Sequence, residues 1–299
     1  MLPNRLICCP VEPCTGTILH RDLSATPGQR PPLPPAFSLL PIPMTNPDTQ
    51  RLTHLVEERT GYRVTFDLVS GIREHAQMRS ARPDAPVHLI QVNADLQQYA
   101  DYIFAVQCGM ILVLWSDPTR VPGMGIDRTK FDYLAGKWAR TAELATLGPD
   151  DATKTAQFYV DALLKQIFSM SLEIRVGNFC FETCPSLREM QAELLTGQLR
   201  GLSEIFAPKI RNRVPQEAFQ KNVVMNAALA LTWARLSGSR LPLLPYESTG
   251  HTKAGQQLLD ALDAAPGQTS QNHMQTVDFW AEQLTLRGLY KWQFANRRA

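Results

Sequence analysis

The residues of this chain that could hold a metal ion are cysteines, and they fall into two groups far apart in the sequence. Cys9 and Cys14 lie near the start, and Cys180 and Cys184 lie in the stretch NFCFETCP. Four thiolates are a common ligand set for a structural zinc ion. Their spacings are not those of a CxxC zinc knuckle, and free cysteines are often buried as small apolar residues. Two alternatives follow: a structural zinc site formed by these four cysteines, or free thiols.

Histidines and a further cysteine could support a different chemistry, which is hydrolysis by a nucleophile and a base. His88, His251 and His273 are possible bases for a nucleophile such as Cys108, and Glu173 is a candidate carboxylate. The sequence gives no proximity among them. A thiol inside an apolar helix has a raised pKa and is inert, so Cys108 is a poor nucleophile. For His88, which lies in a strand-like segment, we expect a hydrogen-bonded histidine at a sheet edge.

The element that would position several of these residues is a strongly apolar segment. Residues 87–93 read VHLIQVN, and residues 99–115 read YADYIFAVQCGMILVLW after a short polar break. The first segment has the composition of a buried strand, and the second is long enough for a helix that is apolar nearly all round. The pattern predicts a strand that leads into a buried helix.

This layout resembles the core of compact bacterial zincin metallopeptidases, in which an edge strand precedes a helix that carries HExxH. There the two histidines bind one zinc ion and the glutamate polarises the metal-bound water. Such helices often read D-Y-(apolar)-x-A-H-E-L-G-H, and residues 101–110 of this chain read DYIFAVQCGM. The resemblance implies that Val106, Gln107 and Met110 occupy the positions of the first histidine, the glutamate and the second histidine. It also implies that Glu173 lies on the downstream helix that supplies a third ligand.

The substitutions at these positions remove zinc chemistry. Valine cannot bind zinc, and methionine is a poor ligand for it. Gln107 has the shape of the general base but cannot take a proton at neutral pH. The resemblance covers at most residues 50–180 and implies a degenerate site. The alternative is an ordinary core helix without zincin ancestry, in which case Glu173 is a surface or salt-bridged residue.

The sequence predicts a predominantly helical α+β fold, in which a small zincin-like α/β unit is followed by a helical region. We expect a cysteine-containing, proline-rich strap at 1–48, the α/β unit at 49–180, and a helical region packed on it at 181–299. The polar segment 70–80 is predicted as a short helix. The other predicted elements are helices at 49–60, 97–115, 127–147, 150–173, 186–205, 216–237, 253–264 and 274–286 and strands at 62–69 and 87–92.

Two further predictions concern polar residues in the predicted helices. Asn222 and Asn226 interrupt a helix that is otherwise apolar nearly all round, so we expect both amides to be hydrogen-bonded in the interior. Ser186 and Glu189 have the spacing of a capping box at the start of their helix.

The composition limits the classes of function. Hydrophobic residues make up 44% of the 299 residues, and the formal net charge is +2 from 30 basic and 28 acidic residues. Such a balance does not predict a basic face for nucleic acid. Tyr290, Trp292 and Phe294 alternate with basic residues, which is typical of a packed aromatic anchor and less often of a nucleic-acid contact. No apolar run is long enough to span a membrane, and six cysteines are too few for a secreted disulfide scaffold, so we expect a cytoplasmic protein.

Three hypotheses for function remain. The first is a non-catalytic binding or regulatory protein, a zincin-like pseudoenzyme that acts through protein partners; the resemblance implies a setting in bacterial stress or phage defence. The second is a hydrolase that uses a non-zincin constellation. The third is a scaffold subunit of a larger complex that contacts nucleic acid. We expect no cofactor other than the structural zinc ion of the first alternative for the cysteines, and the sequence leaves the oligomeric state open.

Overall fold

The structure is a predominantly helical α+β fold with a small mixed sheet, as the sequence predicts. The computed structural model describes residues 46–72, 74–117 and 119–296. The predicted proline-rich strap lies outside the described residues, apart from residues 46–48, which form the start of the first helix.

Strands are concentrated in the first half of the described chain, and helices predominate after it. The helices are α1 (Pro47–Thr60), α2 (Ala100–Leu114), α3 (Arg128–Ala139), α4 (Pro149–Thr183), α5 (Arg188–Leu202), α6 (Pro208–Arg211), α7 (Gln216–Ser237), α8 (Leu244–Glu247), α9 (Thr252–Ala264) and α10 (Ser270–Gln283). The strands are β1 (Arg63–Val69), β2 (Ala76–Arg79), β3 (Val87–Asn93), β4 (Arg120–Ile126) and β5 (Tyr290–Asn296). Among the described residues, no helix combines the length and the apolar character needed to cross a bilayer.

Local sequence sets both ends of α1. The side-chain oxygen of Asn46 accepts hydrogen bonds from the backbone N–H groups of Asp48 at 2.9 Å and Thr49 at 3.4 Å. Pro47 stands in the first turn, where its missing N–H removes no helical hydrogen bond. Gly61 ends the helix at a φ of 74°, which glycine adopts without strain. The observed start of α1 at Pro47 differs from the predicted start at residue 49 by two residues only.

Three strands form the mixed sheet in the order β1-β3-β2. β1 runs parallel to β3 with Arg63 opposite Val87, and β2 runs antiparallel to β3 with Ala76 opposite Val92. The strand that leads toward α2 is therefore central in this sheet, which differs from the edge strand that the resemblance implies.

The strand β2 shows that the predicted short helix at 70–80 is wrong. Ala76 and Met78 are buried, while Gln77 and Arg79 between and after them are more exposed, which is the alternation of a strand. The pattern spans four residues, of which two are polar, so it is too short to be recognised in the sequence. The strand forms because β3 offers it an antiparallel partner.

The helix α2 is buried on every side. All of its residues from Tyr102 to Leu114 are buried, and the helix packs against α1, β3 and α4. At Gly109 the backbone of α2 comes so close to α4 that an added Cβ would overlap Cγ1 of Val176. Glycine at this position permits a contact between the two helices that no larger residue allows.

The helix α4 connects two clusters of buried apolar side chains. It has 35 residues, more than the predicted range of 150–173. Its first part, including Ile167, packs with α3, α7, α9 and α10, and its last part, including Val176, packs with α1, α2 and the sheet. Pro185 follows the helix and cannot continue it. The predicted boundary between the two regions at residue 180 stays a prediction.

The strands β4 and β5 form a two-stranded antiparallel ribbon that the sequence did not predict. Arg120 lies opposite Asn296, and Ile126 lies opposite Tyr290. A proline and two glycines within β4 hide its strand character, because these residues are depleted in strands.

The first two aromatic residues of β5 form a packed anchor, as expected. The hydroxyl of Tyr290 and the indole N–H of Trp292 both donate to Oδ1 of Asp278, at 2.6 and 3.0 Å. Phe294 remains 40% exposed, with the guanidinium of Arg120 over its ring at 4.2 Å from the ring centre.

Replacement of Gly109 by alanine is expected to lower the free energy of unfolding by about 1–3 kcal/mol, because the new Cβ would force α2 and α4 apart. Gly197→Ala in α5 is the matched control, since a Cβ there meets nothing within 4 Å. The control should raise the free energy of unfolding by up to about 1 kcal/mol, because alanine favours helix. Urea unfolding of both variants measures the difference, and equal effects would contradict a tight contact at Gly109.

Candidate functional site

The three positions that the zincin resemblance singles out on α2 are core positions. Val106 is 3% exposed, Gln107 is 0% exposed and Met110 is 2% exposed. The neighbouring Phe104 and Ile111 are equally buried, so apolar side chains surround this part of the helix. These residues offer no ligand set for zinc and no exposed group to a substrate.

Gln107 is an unusual core residue because its amide is unsatisfied. Neither Oε1 nor Nε2 has a hydrogen-bond partner among the described residues. A buried polar group without a partner costs about 1–3 kcal/mol of stability. Gln107 therefore lowers the stability of the core.

Glu173 lies on α4, the helix that packs against α2, and it is buried. It is 5% exposed, and its Oε1 accepts a hydrogen bond from Nε2 of Gln198 on α5 at 3.3 Å. It precedes Val176, the residue that contacts Gly109, by one turn of α4. Of the two expectations for Glu173 outside a zinc site, the surface position is wrong, because α5 covers this face of α4, and the salt-bridged position stays a prediction.

Three amide side chains link α4 to α7 in a closed triangle. Nε2 of Gln166 donates to Oδ1 of Asn226 at 2.9 Å, and Nδ2 of Asn226 donates to Oδ1 of Asn222 at 2.9 Å. Nδ2 of Asn222 donates back to Oε1 of Gln166 at 2.8 Å. The prediction that both asparagines are hydrogen-bonded is confirmed, with Asn226 in the interior and Asn222 only partly buried.

The structure describes only two of the four cysteines of the predicted zinc site. Cys180 and Cys184 are buried free thiols, whereas Cys9 and Cys14 lie outside the described residues. Within the described ranges, no group of three or more histidine, cysteine, aspartate or glutamate side chains is placed to hold a metal ion. A zinc site that combines all four cysteines stays a prediction.

Cys180 and Cys184 are hydrogen-bonded to each other at the end of α4. This hydrogen bond lowers the pKa of Cys184 to about 7 and raises that of Cys180 well above its usual value. The guanidinium of Arg51 also approaches Cys184, with Nη2 at 3.7 Å from Sγ. No pattern in the sequence indicates that Arg51, on α1, lies beside this pair.

Ser186 does not form the predicted capping box. Asp48 accepts from its N–H and its hydroxyl, at 3.2 and 2.5 Å. Ser186 is thus engaged with α1 and does not cap α5.

Cys108 has the opposite environment. It is fully buried in α2, and burial raises the pKa of its thiol to about 12. The hydroxyl of Thr53 at 3.9 Å is too weak a partner to offset the burial. The expectation that Cys108 is inert agrees with this environment.

The three candidate histidines are placed on separate elements. His88 on β3 is fully buried, with Nδ1 accepting from the N–H of Ala81 at 3.1 Å and Nε2 at 3.2 Å from the hydroxyl of Thr60. It is hydrogen-bonded as predicted, but on the central strand and not at the edge. His251, just before α9, contacts Oγ1 of Thr249 at 2.8 Å and Oε1 of Gln220 at 2.6 Å.

His273 on α10 is buried without hydrogen-bond partners among the described residues. Its ring meets that of Phe168 edge-on, with 4.8 Å between the ring centres. Burial, with the charge of Arg175 as a second cause, lowers its pKa to about 3, so the ring is neutral at physiological pH.

Arg175 is a buried cation that fixes the loop before α10, and no prediction from the sequence included it. It is 3% exposed, and its Nη1 donates to the backbone oxygens of Ala265 at 2.8 Å and Gly267 at 2.7 Å. Its Nη2 donates to the hydroxyl of Thr276 at 2.9 Å. An arginine within the apolar run of α4 was the available signal, because a charge there must find internal partners.

A surface pocket lies elsewhere, between the β4–β5 ribbon and α10. Its lining includes Asp117, Arg120, Ser270, Met274 and Phe294. None of the predicted metal ligands or catalytic residues lines it.

Comparisons with known proteins give no assignment. No family model matches the chain, and no match is found among curated proteins or among solved structures.

Replacement of Gln107 by methionine, which has a similar shape, is expected to raise the free energy of unfolding by about 1–3 kcal/mol, because it removes an unsatisfied amide. Gln166→Met is the matched control. It should lower the free energy of unfolding by a similar amount, because Asn222 and Asn226 each lose a partner. Chemical denaturation measures both values, and a loss of stability in Gln107→Met would show that this amide has a partner.

Proposed function

We propose that the protein is a non-catalytic binding or regulatory protein, a zincin-like pseudoenzyme that acts through protein partners. The observation that carries the proposal is the complete burial of Val106, Gln107 and Met110 within the apolar core. A zinc hydrolase needs ligands and an open coordination position at these points. Here the side chains are replaced by core residues, and α4 closes over the helix at Gly109.

The position of Glu173 is compatible with a zincin-like origin. The residue lies on α4, downstream of α2 and packed against it, and it is a buried carboxylate. A buried carboxylate is costly unless it is hydrogen-bonded. The amide of Gln198 now occupies one of its oxygens.

A protein partner is favoured by two exposed apolar side chains at the start of α8 and in the turn before it. Leu241 is 74% exposed and Leu244, one helical turn further, is 55% exposed. Arg240 and Glu247 form an ion pair of 2.6 Å beside them. Adjacent apolar side chains with a charged rim are typical of surfaces that a partner protein covers.

The two alternatives have weaker support. For hydrolysis, His88 and Cys108 are buried and on different elements, and Cys108 is held as a neutral thiol. For nucleic acid, Phe294 is the exposed aromatic of the ribbon, but the guanidinium of Arg120 already lies over its ring. We therefore rank both below the pseudoenzyme.

Introducing an HExxH motif into α2 tests the proposed zincin resemblance. The variant V106H/Q107E/M110H, with Glu173 as the third protein ligand, is expected to bind one more zinc ion per chain than the natural sequence. The control Q107H/C108E/I111H carries the same motif one residue later, which turns the ligands by about 100° around the helix. Elemental analysis after dialysis counts the metal, and cobalt(II) spectra separate histidine from thiolate ligands. Equal zinc in both variants, or zinc in the natural protein that Met110→Leu removes, would contradict the proposal.

A capture experiment tests the binding function. The full chain should retain a specific protein partner when Gln107 is replaced by methionine, because that residue is internal. The same partner should be lost or weakened when Leu241 and Leu244 are both replaced by serine. Circular dichroism confirms that all variants are folded. A hydrolytic activity that disappears in Gln107→Met would instead support an enzyme.

A further inference from the structure

The strand β1 is an edge of the three-stranded sheet, and one side of its backbone is open. The sheet order β1-β3-β2 pairs β1 with β3 alone, and no other described strand lies beside it. The N–H of Val64 donates to Oε1 of Glu57 at 3.0 Å, so this group points away from β3. Backbone groups alternate in direction along a strand, so the N–H and C=O groups of Phe66 and Leu68 also point away from β3.

This edge has few of the features that prevent a strand from pairing with another chain. It has seven residues, RVTFDLV, without proline, glycine or lysine, and most of them favour strands. The opposite edge, β2, is protected by its length of four residues. The two charged side chains of β1, Arg63 and Asp67, have opposite signs, so they repel neither each other nor a second copy in antiparallel orientation. A regular edge of this kind is a surface to which another strand can be added.

We propose that β1 pairs with β1 of a second copy of this chain, in antiparallel orientation, with Thr65 opposite Thr65 of the partner subunit. A two-fold axis perpendicular to the sheet then passes between the two threonines, and one sheet continues across both copies. Two-fold dimers are the commonest symmetric assemblies, and their interfaces pair the same surface of each copy.

Charge complementarity favours this register. Arg63 lies opposite Asp67 of the partner subunit, and the two-fold axis repeats the ion pair. Both side chains lie on the outer face of the sheet, opposite to the buried Phe66, with Arg63 exposed and Asp67 half-buried. Neither has an ion pair among the described residues. Opposite charges directly across a strand pair stabilise it, and like charges destabilise it.

The neighbouring registers lose this complementarity. With Phe66 opposite Phe66 of the partner subunit, Arg63 faces Val69 and Asp67 faces Thr65, so no ion pair forms. With Asp67 opposite Asp67 of the partner subunit, two carboxylates face each other. The register centred on Thr65 is therefore the one that the charges of β1 select.

The same register matches the outward-facing backbone groups. Val64 lies opposite Phe66 of the partner subunit, and each such pair exchanges both of its N–H···O bonds. On the inner face of the sheet, the half-buried Val64 side chain comes beside the Phe66 ring of the partner subunit. The apolar layer between the sheet and α2 therefore continues across the two-fold axis.

Glu57 competes with the second copy for one backbone donor. The N–H of Val64 must leave Oε1 of Glu57 before it can donate to the C=O of Phe66 of the partner subunit. Glu57 thus weakens the pairing, and an interface formed by one pair of strands is small, so we expect a reversible dimer. Glu57→Ala should strengthen dimerisation by up to about tenfold, because each copy no longer breaks an internal hydrogen bond.

The proline-rich segment of this chain is a poor occupant of the same edge. Prolines recur throughout residues 27–43. Proline has no N–H to donate to a neighbouring strand and is found in sheets mainly at positions that need no donor. A second copy of β1 supplies a donor at every position, which favours the homodimer.

Charge exchange in the full chain tests the proposal. Sedimentation velocity of the natural chain over a range of concentrations should show a monomer–dimer equilibrium. Arg63→Asp places carboxylates opposite each other and should weaken dimerisation by about tenfold or more, and Asp67→Arg should do the same with two cations. The double variant R63D/D67R restores opposite charges and should dimerise like the natural chain. Circular dichroism confirms that each variant is folded.

Two control variants locate the contact. Arg79→Asp makes the same charge change at an exposed position on β2, at the opposite edge of the same sheet, and should leave dimerisation unchanged. L241S/L244S, which tests the surface proposed for a protein partner, should also remain dimeric. A dimer that this variant loses and that Arg63→Asp does not affect would place the contact at α8 and overturn the proposal.

A cysteine introduced at the two-fold axis tests the register. With Cys8, Cys9 and Cys14 replaced by serine, the remaining natural cysteines are buried, and Thr65→Cys adds an exposed thiol. Mild oxidation should link two copies, because the Cα atoms of a non-hydrogen-bonded pair are about 4.5 Å apart, within the range of a disulfide. Asp67→Cys in the same background should not be linked, because its partner is residue 63.

Three further results would overturn the proposal. One is a natural chain that stays monomeric at every concentration, including a chain whose β1 edge is occupied by a different protein. Another is a double variant R63D/D67R that is folded but dimerises no better than the single variants. The third is cross-linking of Asp67→Cys as efficient as that of Thr65→Cys. The cross-link keeps the natural charges, so it decides the matter even if a charge variant fails to fold.

Discussion

The structure depends on the burial of one apolar helix. α2 carries almost no polar side chain, so it must be covered on all sides, and α1, the sheet and α4 supply that cover. Each large apolar side chain transferred from water to such an interior stabilises the fold by about 1.5–3 kcal/mol. The contact between Gly109 and Val176 sets the distance between α4 and α2. Because α4 is long, its first part also packs in the second cluster of buried apolar side chains.

Some buried polar side chains in this protein are hydrogen-bonded to one another, and others are unsatisfied. The amides of Gln166, Asn222 and Asn226 satisfy one another, and they fix how α4 lies against α7. Gln107 has no such partner, although it is as deeply buried. An arrangement that satisfies every buried group is selected for stability. The unsatisfied amide of Gln107 instead lowers the stability of the core.

Most helices and the strands β1 and β3 were predicted from the sequence, whereas β2, β4 and β5 were not. The sequence predicts α7 to the residue and the burial of α2, because both signals extend over many residues. β4 and β5 were missed because each forms with a partner far away in the chain, and β2 was missed because its pattern spans four residues only. At the candidate site, the apolar pattern of α2 predicts the burial of Val106, Gln107 and Met110. The sequence cannot show that Arg51 lies beside Cys184 or that α5 covers Glu173, because these contacts join separate elements.

The pairing of β4 with β5 has a consequence for how the chain folds. Residues 127–289 separate the two strands, so during synthesis β4 leaves the ribosome long before its partner exists. Until then its backbone N–H and C=O groups are unpaired, and such an edge can pair with other chains. Contacts this distant in sequence also slow folding. Proline and glycine weaken strand pairing, so these residues in β4 reduce its tendency to pair with other chains before β5 is synthesised. The same residues hide the strand from prediction.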